Sequence, residues 1–254
     1  QRSLTMAAFT PDQLPVLTAL AREFLVCDRW FSSLPGPTWP NRFFAHAASS
    51  TGLDASPDPL RTATAIVDGY RFAGGTVYDK LSAAGKNWLV VEGDALPQTM
   101  ALHGMVEHAL AGRFLSFDEL GERLSAGDLD ASYVFIEPHY GHVLADGRNF
   151  KCGNSQHPQD DITRGEALVK QVYDVIRASK LWEASLLIVT YDEHGGFYDK
   201  GDVSQNWLLL DGDVVNVGDR RHNRVFVVGE VRQPAAKPMN RRRMSLADAL
   251  TDSG

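Results

Sequence analysis

The stretch Ser185-Leu-Leu-Ile-Val-Thr-Tyr-Asp-Glu-His-Gly-Gly-Phe-Tyr-Asp199 constrains the fold more than any other. From Leu186 to Thr190 the residues are apolar or β-branched without interruption. Such a run predicts a strand buried on both faces of a parallel sheet. It then gives way to Asp192, Glu193 and His194, followed by Gly195-Gly196. In open α/β sheets, ligands gather at the carboxyl ends of strands. Two adjacent carboxylates and an imidazole at such a point are hard-cation ligands with a proton-transfer group beside them. The paired glycines let the backbone turn sharply and approach a ligand closely. The competing reading of the same residues is a solvated turn after a strand.

Size and charge narrow the classes. A chain of 254 residues with 44% hydrophobic content suffices for one large α/β domain, or a domain with a small appendage. A formal charge of −7 argues against a general binder of nucleic acid or anionic membranes. No apolar run reaches the roughly 20 residues of a membrane span. The start, Gln1-Arg-Ser-Leu-Thr-Met6, has the pattern of neither a signal peptide nor an initiator, so the chain is expected to begin inside a longer protein. Cys27 and Cys152 stand far apart and in no metal-binding spacing, leaving open one disulfide or two unpaired buried thiols.

Along the chain, Thr10 as N-cap, Pro11 and Gln13 open a helix whose Leu14, Leu17, Leu20, Ala21 and Phe24 share one face expected to be buried. Leu25-Val26-Cys27 reads as a short strand. In Leu34-Pro-Gly-Pro-Thr-Trp-Pro-Asn-Arg42, three prolines and a glycine stiffen the backbone around one hydroxyl, Thr38. A stiff loop holds a nucleophile at low entropic cost; Arg42 offers a forked donor for phosphate oxygens, and Asn41 a neutral one. The plain alternative is a rigid turn in which Thr38 bonds to nearby backbone. Phe43 to Ala48 begins a helix, and Gly74-Gly75 reads as a turn. Asn87 to Glu92 is predicted as a buried strand ending in Glu92-Gly93-Asp94, and Ala131 to Glu137 as another with an acidic end. Met105 to Leu120 is helical in part, with Phe114 and Phe117 in the core and His103 and His108 on helix surfaces. His157, ahead of Pro158 at a helix entrance, is a candidate active-site imidazole or a surface histidine. Thr163 to Glu166 reads as a capping box for a helix carrying Leu168, Val172, Val175 and Ile176 on one face. The alternation of strand, loop, helix and strand implies right-handed crossovers and a mainly parallel sheet.

"CDRWFSSLPGPTWPNRFFAHAAS", "YVFIEPHYG", "NSQHPQDDITRGEALVKQVYDVIRAS" and "LLIVTYDEHGGFYD" together resemble the bacterial phospholipase C and acid phosphatase family of phosphoesterases, over about residues 6–199. The resemblance implies an alkaline-phosphatase-like α/β sandwich and metal-dependent hydrolysis of phosphate esters or phospholipids. It makes Thr38 nucleophile and metal ligand, Asp192 and Glu193 ligands of the same divalent ion, and His157 a phosphoryl contact. His194 is a weaker catalytic candidate; Asn41, Arg42 and Asp94 fall to substrate binding. The family's metal-binding Glu-Asn motif lies upstream of where this chain starts, and its His-Gly-Asp reads Glu92-Gly93-Asp94 here. The sheet and the metal site are therefore expected to be incomplete at the N-terminus.

From about Asn206 the chain resembles outer-membrane polysaccharide export proteins, in a small β-grasp-like segment. There Val214-Val-Asn-Val217 and Val225 to Val231 read as strands, and Ser245 to Asp248 opens a helix. Arg241-Arg-Arg243 offers contact to an anionic glycan or export complex, or is simply a solvated face. The expectation is a phosphoesterase core over 1–200 joined to an export-like segment over 206–254. The alternative is a non-catalytic or truncated fusion product related to polysaccharide export. Proteins of both resembled families are usually exported.

Overall fold

The computed structural model describes residues 9–57, 64, 68–141, 152–158, 160–193 and 195, with the backbone of 224–227 and 235–238. In chain order the described helices are α1 (Pro15–Glu23), α2 (Thr38–Ala47), α3 (Val77–Ala83), α4 (Met105–Leu110), α5 (Phe117–Ala126) and α6 (Ile162–Ala178). The strands are β1 (Trp88–Val91), β2 (Phe114–Leu115), β3 (Tyr133–Ile136), β4 (Arg224–Val227) and β5 (Ala235–Pro238). The chain divides into two compact units, residues 1–14 with 32–206, and residues 15–31 with 207–254.

The first unit is built on a parallel sheet in the order β2-β1-β3. Because β1 has a neighbour on each edge and a layer on each face, all four of its residues are buried. Side chains alternate across a strand, and the two layers follow that period. Trp88, Val90, Tyr133 and Phe135 pack with Phe43 of α2, Tyr78 of α3 and Met105 of α4. Val91, Val134 and Ile136 pack with Leu120 and Leu124 of α5 and Val175 and Ile176 of α6. Capping boxes start two of the helices: Thr76 with Asp79 at α3, and Ser116 with Glu119 at α5.

The α/β class, the strands near 87–92 and 131–137 and the parallel pairing agree with the sequence reading. Phe114, expected within partly helical sequence, instead begins β2. Several other expectations need correction. Leu186 to Thr190 forms no strand, and Leu186, Ile188 and Val189 are 69%, 56% and 45% exposed. An apolar run states a preference for burial; ladder bonds require a partner edge, which periodicity does not reveal. Leu25-Val26-Cys27 is likewise no strand and is exposed. Gln13 does reach back to the Thr10 amide at 2.9 Å, but α1 begins at Pro15 and buries none of its residues. The cap of α6 is Asp161, whose side chain accepts from the Thr163 amide at 3.0 Å, while Glu166 is buried in the helix wall. Both cysteines are free and exposed, which removes the disulfide and the buried-thiol readings.

In the second unit, β4 and β5 pair antiparallel, Arg224 opposite Pro238 and Val227 opposite Ala235. Val225 to Val227, read as the start of a strand, lie in β4. The remaining expectations for 206–254 lie outside the described residues.

Candidate active site

The carboxyl ends of β1 and β3 open at the same end of the sheet, and the helix that follows β1 packs on one face while the helix that follows β3 packs on the other, the kind of crevice that receives ligands in α/β folds. Glu137 follows β3 directly, its amide bonded to the Val91 carbonyl at 2.9 Å. Gly93 follows β1 in close contact with the next turn: a Cβ there would stand 2.4 Å from the His139 amide nitrogen. The glycine thus lets the two strand ends meet.

Helix α2 enters from the Pro-Gly-Pro loop. Pro37 is its extended N-cap and supplies no side-chain cap. Asn41 does the organising from inside the helix. Its Oδ1 accepts from the Leu34 amide at 2.8 Å, and its Nδ2 donates to the carbonyls of Leu34, Gly36 and Pro37 at 3.0, 2.9 and 3.2 Å. Asn41 is buried and spent on the loop, so its amide shapes the entry to Thr38 rather than facing outward. Thr38, half-buried, is the first residue of α2, and Arg42 stands four residues on, one turn along the same face.

Arg42 is the hub. Its Nη1 lies 3.3 Å from Glu137 Oε1 and donates to the Tyr140 hydroxyl; its Nη2 lies 3.7 Å from Asp192 Oδ2. The guanidinium also sits over the Tyr140 ring, 5.3 Å from its centroid. Tyr140 carries the network to Asp94, whose Oδ2 accepts from the Tyr140 amide at 2.8 Å. Asp94 Oδ1 is 3.2 Å from His139 Nε2. His139 Nδ1 accepts from the Gly141 amide at 3.2 Å, which assigns the ring proton to Nε2, facing Asp94.

Asp192 also accepts from the Glu193 amide at 3.0 Å, and both carboxylates are half-buried. His157 is half-buried too; burial pushes its imidazole below the usual range, while the negative charges of Asp160 and Asp192 pull the other way. The imidazole is therefore neutral at neutral pH, an acceptor or donor of one proton rather than a fixed cation. Beside it, Gln156 takes a left-handed backbone with φ of 59°, and its Oε1 accepts from the Tyr191 hydroxyl. That bond ties the His157 loop to the residue preceding Asp192.

Of the residues expected from sequence, the structure brings Arg42 to Asp192, places His157 within the field of Asp192, and joins Asp94 to Arg42 through Tyr140. His194 lies outside the described residues. Sequence reading gave no role to Glu137, Tyr140 or His139. The signal for Glu137 was there: it ends a buried strand on an acidic residue, the same logic that selected Asp192.

A divalent cation needs several oxygen donors gathered in one place. Among the described residues no three His, Cys, Asp or Glu side chains gather as a metal site. Hard cations take about six oxygens, and one oxygen of Asp192 already faces a guanidinium. The described donors are by themselves too few for such an ion, and no step below runs through one. Among the described residues no helix is long and apolar enough to cross a membrane.

Parallel strand ends with an arginine between two carboxylates, beside a helix start bearing a hydroxyl, define an α/β protein with a charged cluster at the carboxyl end of its sheet. The chain belongs to the Phosphoesterase family, whose model matches residues 1–227. It is 35% identical over 196 residues to non-specific phospholipase C3 of Arabidopsis thaliana, covering 77% of this chain and 35% of that protein. To non-specific phospholipase C5 of the same plant it is 35% identical over 198 residues, covering 78% and 35%. To phospholipase C B of Mycobacterium tuberculosis it is 28% identical over 211 residues, covering 77% and 38%. The chain thus spans little more than a third of the length of these curated relatives. The matched region runs past the junction expected near 200–205, into the segment read as export-like, and the relatives give that reading no support.

Proposed function

We propose that this chain carries the phosphoryl-transfer centre of a phospholipase C-type hydrolase acting on phosphate esters, with Thr38 as nucleophile. The observation that carries the reading is Arg42: one turn from Thr38, it reaches Asp192 with one amino group while the other is held by Glu137. At 3.7 Å the Arg42–Asp192 contact is an ion pair beyond hydrogen-bond length. Among the described residues no acceptor stands within hydrogen-bond length of Nη2, which leaves its hydrogens for a phosphoryl oxygen, and the N-terminus of α2 adds its partial positive charge at Thr38. The named relatives, each a phospholipase C, support a phosphodiester of a lipid as substrate.

In this reading the neutral His157 takes the Thr38 proton as Oγ1 attacks phosphorus. The bond to phosphorus forms at Thr38, the ester bond breaks, and the imidazolium returns the proton to the departing alkoxide. Arg42 stabilises charge on the phosphoryl oxygens. Water then attacks the phosphothreonine and releases the phosphate or phosphomonoester. The alkaline-phosphatase-like sandwich and the metal dependence implied by the family resemblance belong to the same proposal, with Asp192 and Glu193 as the carboxylates concerned.

The test is release of diacylglycerol and phosphocholine from phosphatidylcholine, and of nitrophenol from an aryl phosphate, by the chain and its Thr38→Ala variant. Loss of at least roughly a thousand-fold in Thr38→Ala is expected, as for removal of a covalent nucleophile, with a phosphothreonine trapped by acid quench and located by mass spectrometry. Undiminished turnover in Thr38→Ala would rule out the covalent path. Activity surviving dialysis against a chelator would remove the metal part alone.

A further inference from the structure

The geometry points to Glu137 as a positioning residue: a buried carboxylate that holds the Arg42 guanidinium, one helical turn from Thr38, back from Asp192. The inference rests on the proposed reaction and adds to it a residue that never meets substrate.

Glu137 has no exposed side-chain surface. Its Oε1 accepts from the Gln98 amide at 2.6 Å and pairs with Arg42 Nη1; its Oε2 accepts from the Thr99 amide at 3.1 Å and from the Thr99 hydroxyl. An ionised carboxylate has about four acceptor sites, and these partners occupy them. Glu137 therefore has neither access nor spare capacity to act on a ligand, and any influence on chemistry passes through Arg42. Two anions compete for that cation. The Glu137 pair is shorter and excluded from water, whereas the Asp192 side chain is 27% exposed and its contact longer. Low dielectric strengthens the first and screening weakens the second, so Arg42 is anchored on Glu137. Remove that charge and the nearest anion becomes Asp192. The guanidinium then closes on it as a forked pair, which spends both the carboxylate and the Nη2 hydrogens. A purely structural reading, in which Glu137 only fastens the turn at Gln98–Ala101, accounts for its bonds to Gln98 and Thr99 but not for its pairing with Arg42.

Glu137→Gln and Thr99→Val separate the two readings, since the first removes the charge and the second removes one bond from the turn. With the full chain and phosphatidylcholine, Glu137→Gln should lower kcat roughly 10- to 100-fold, the range of a misplaced catalytic group, with a smaller change in KM. Thr99→Val should lower Tm while leaving kcat within about two-fold. Side-chain 15N spectra, with the Arg42 signals assigned through Arg42→Lys, should show slow guanidinium rotation in the parent chain and a changed pattern in Glu137→Gln. Equal loss of kcat in both variants, or an unchanged kcat in a folded Glu137→Gln, overturns the inference. If Glu137→Gln does not fold, Glu137→Asp takes its place: loss of kcat there but not in Thr99→Val supports positioning, and equal loss overturns it. A parent chain without turnover removes the functional reading, and the Arg42 spectra then decide by themselves whether Glu137 fixes the guanidinium.

Discussion

Arg42 and His46 occupy the same face of α2 and show how one environment treats two basic groups differently. Arg42 meets a buried carboxylate, Glu137. His46 is buried against Tyr78 and Phe135, with its Nδ1 3.2 Å from the Tyr78 hydroxyl. Burial, with a further push from Arg42, lowers its imidazole from 6.5 to about 3. Between those values the unfolded chain binds a proton that the folded chain refuses, so stability falls as pH drops through this window and is whole above 6.5. Urea unfolding at several pH values should show a slope approaching ~1.4 kcal/mol per pH unit from this residue, and His46→Phe should flatten it. Truncating Arg42 tests the other case. Arg42→Met leaves the buried Glu137 without its counter-ion, and should destabilise the fold by about 3–5 kcal/mol in the same assay at neutral pH.

At the level of elements, the positions that matter are helix starts. Asp161 caps α6 through the Thr163 amide and hydroxyl, so Asp161→Ala should cost about 1 kcal/mol by thermal or urea unfolding. Gly165 lies in the first turns of α6, and a Cβ there would stand 2.0 Å from Gln156 Cγ. Helix propensity alone would make Gly165→Ala stabilising by about 1 kcal/mol. The collision should reverse that sign, since the Gln156 side chain is held by the bond it accepts from the Tyr191 hydroxyl. Displacement of Gln156 carries His157 with it. Gly165→Ala is therefore expected to lose both Tm and kcat, measured on the same preparation.

Across the first unit, stability rests on a short sheet covered on both faces. Trp88 is fully buried, packed on Tyr78 with ring centroids 4.6 Å apart and under the Arg113 guanidinium at 5.0 Å. Trp88→Ala should cost about 3–5 kcal/mol by denaturant unfolding, the range for a large aromatic removed from a core. Leu110, 85% exposed, should tolerate Leu110→Ala within about 0.5 kcal/mol. A comparable loss at both positions would contradict this account of the core.

The sequence alone determined the α/β class, two of the sheet's strands and the helix over 162–178, because apolar runs and helical periodicity are local patterns; Thr38, Asp192 and His157 it offered as candidates. It could not determine which apolar runs find a sheet partner, and so Leu186 to Thr190 read as a buried strand although it lies exposed. Nor could it show that Asn41 turns inward on its loop, or that Glu137, 95 residues from Arg42 along the chain by their numbering, becomes its partner. A buried ion pair is a property of two surfaces brought together and freed of water. Only the tertiary fold, by setting the end of β3 against the flank of α2, decided that Arg42 would stand between two carboxylates.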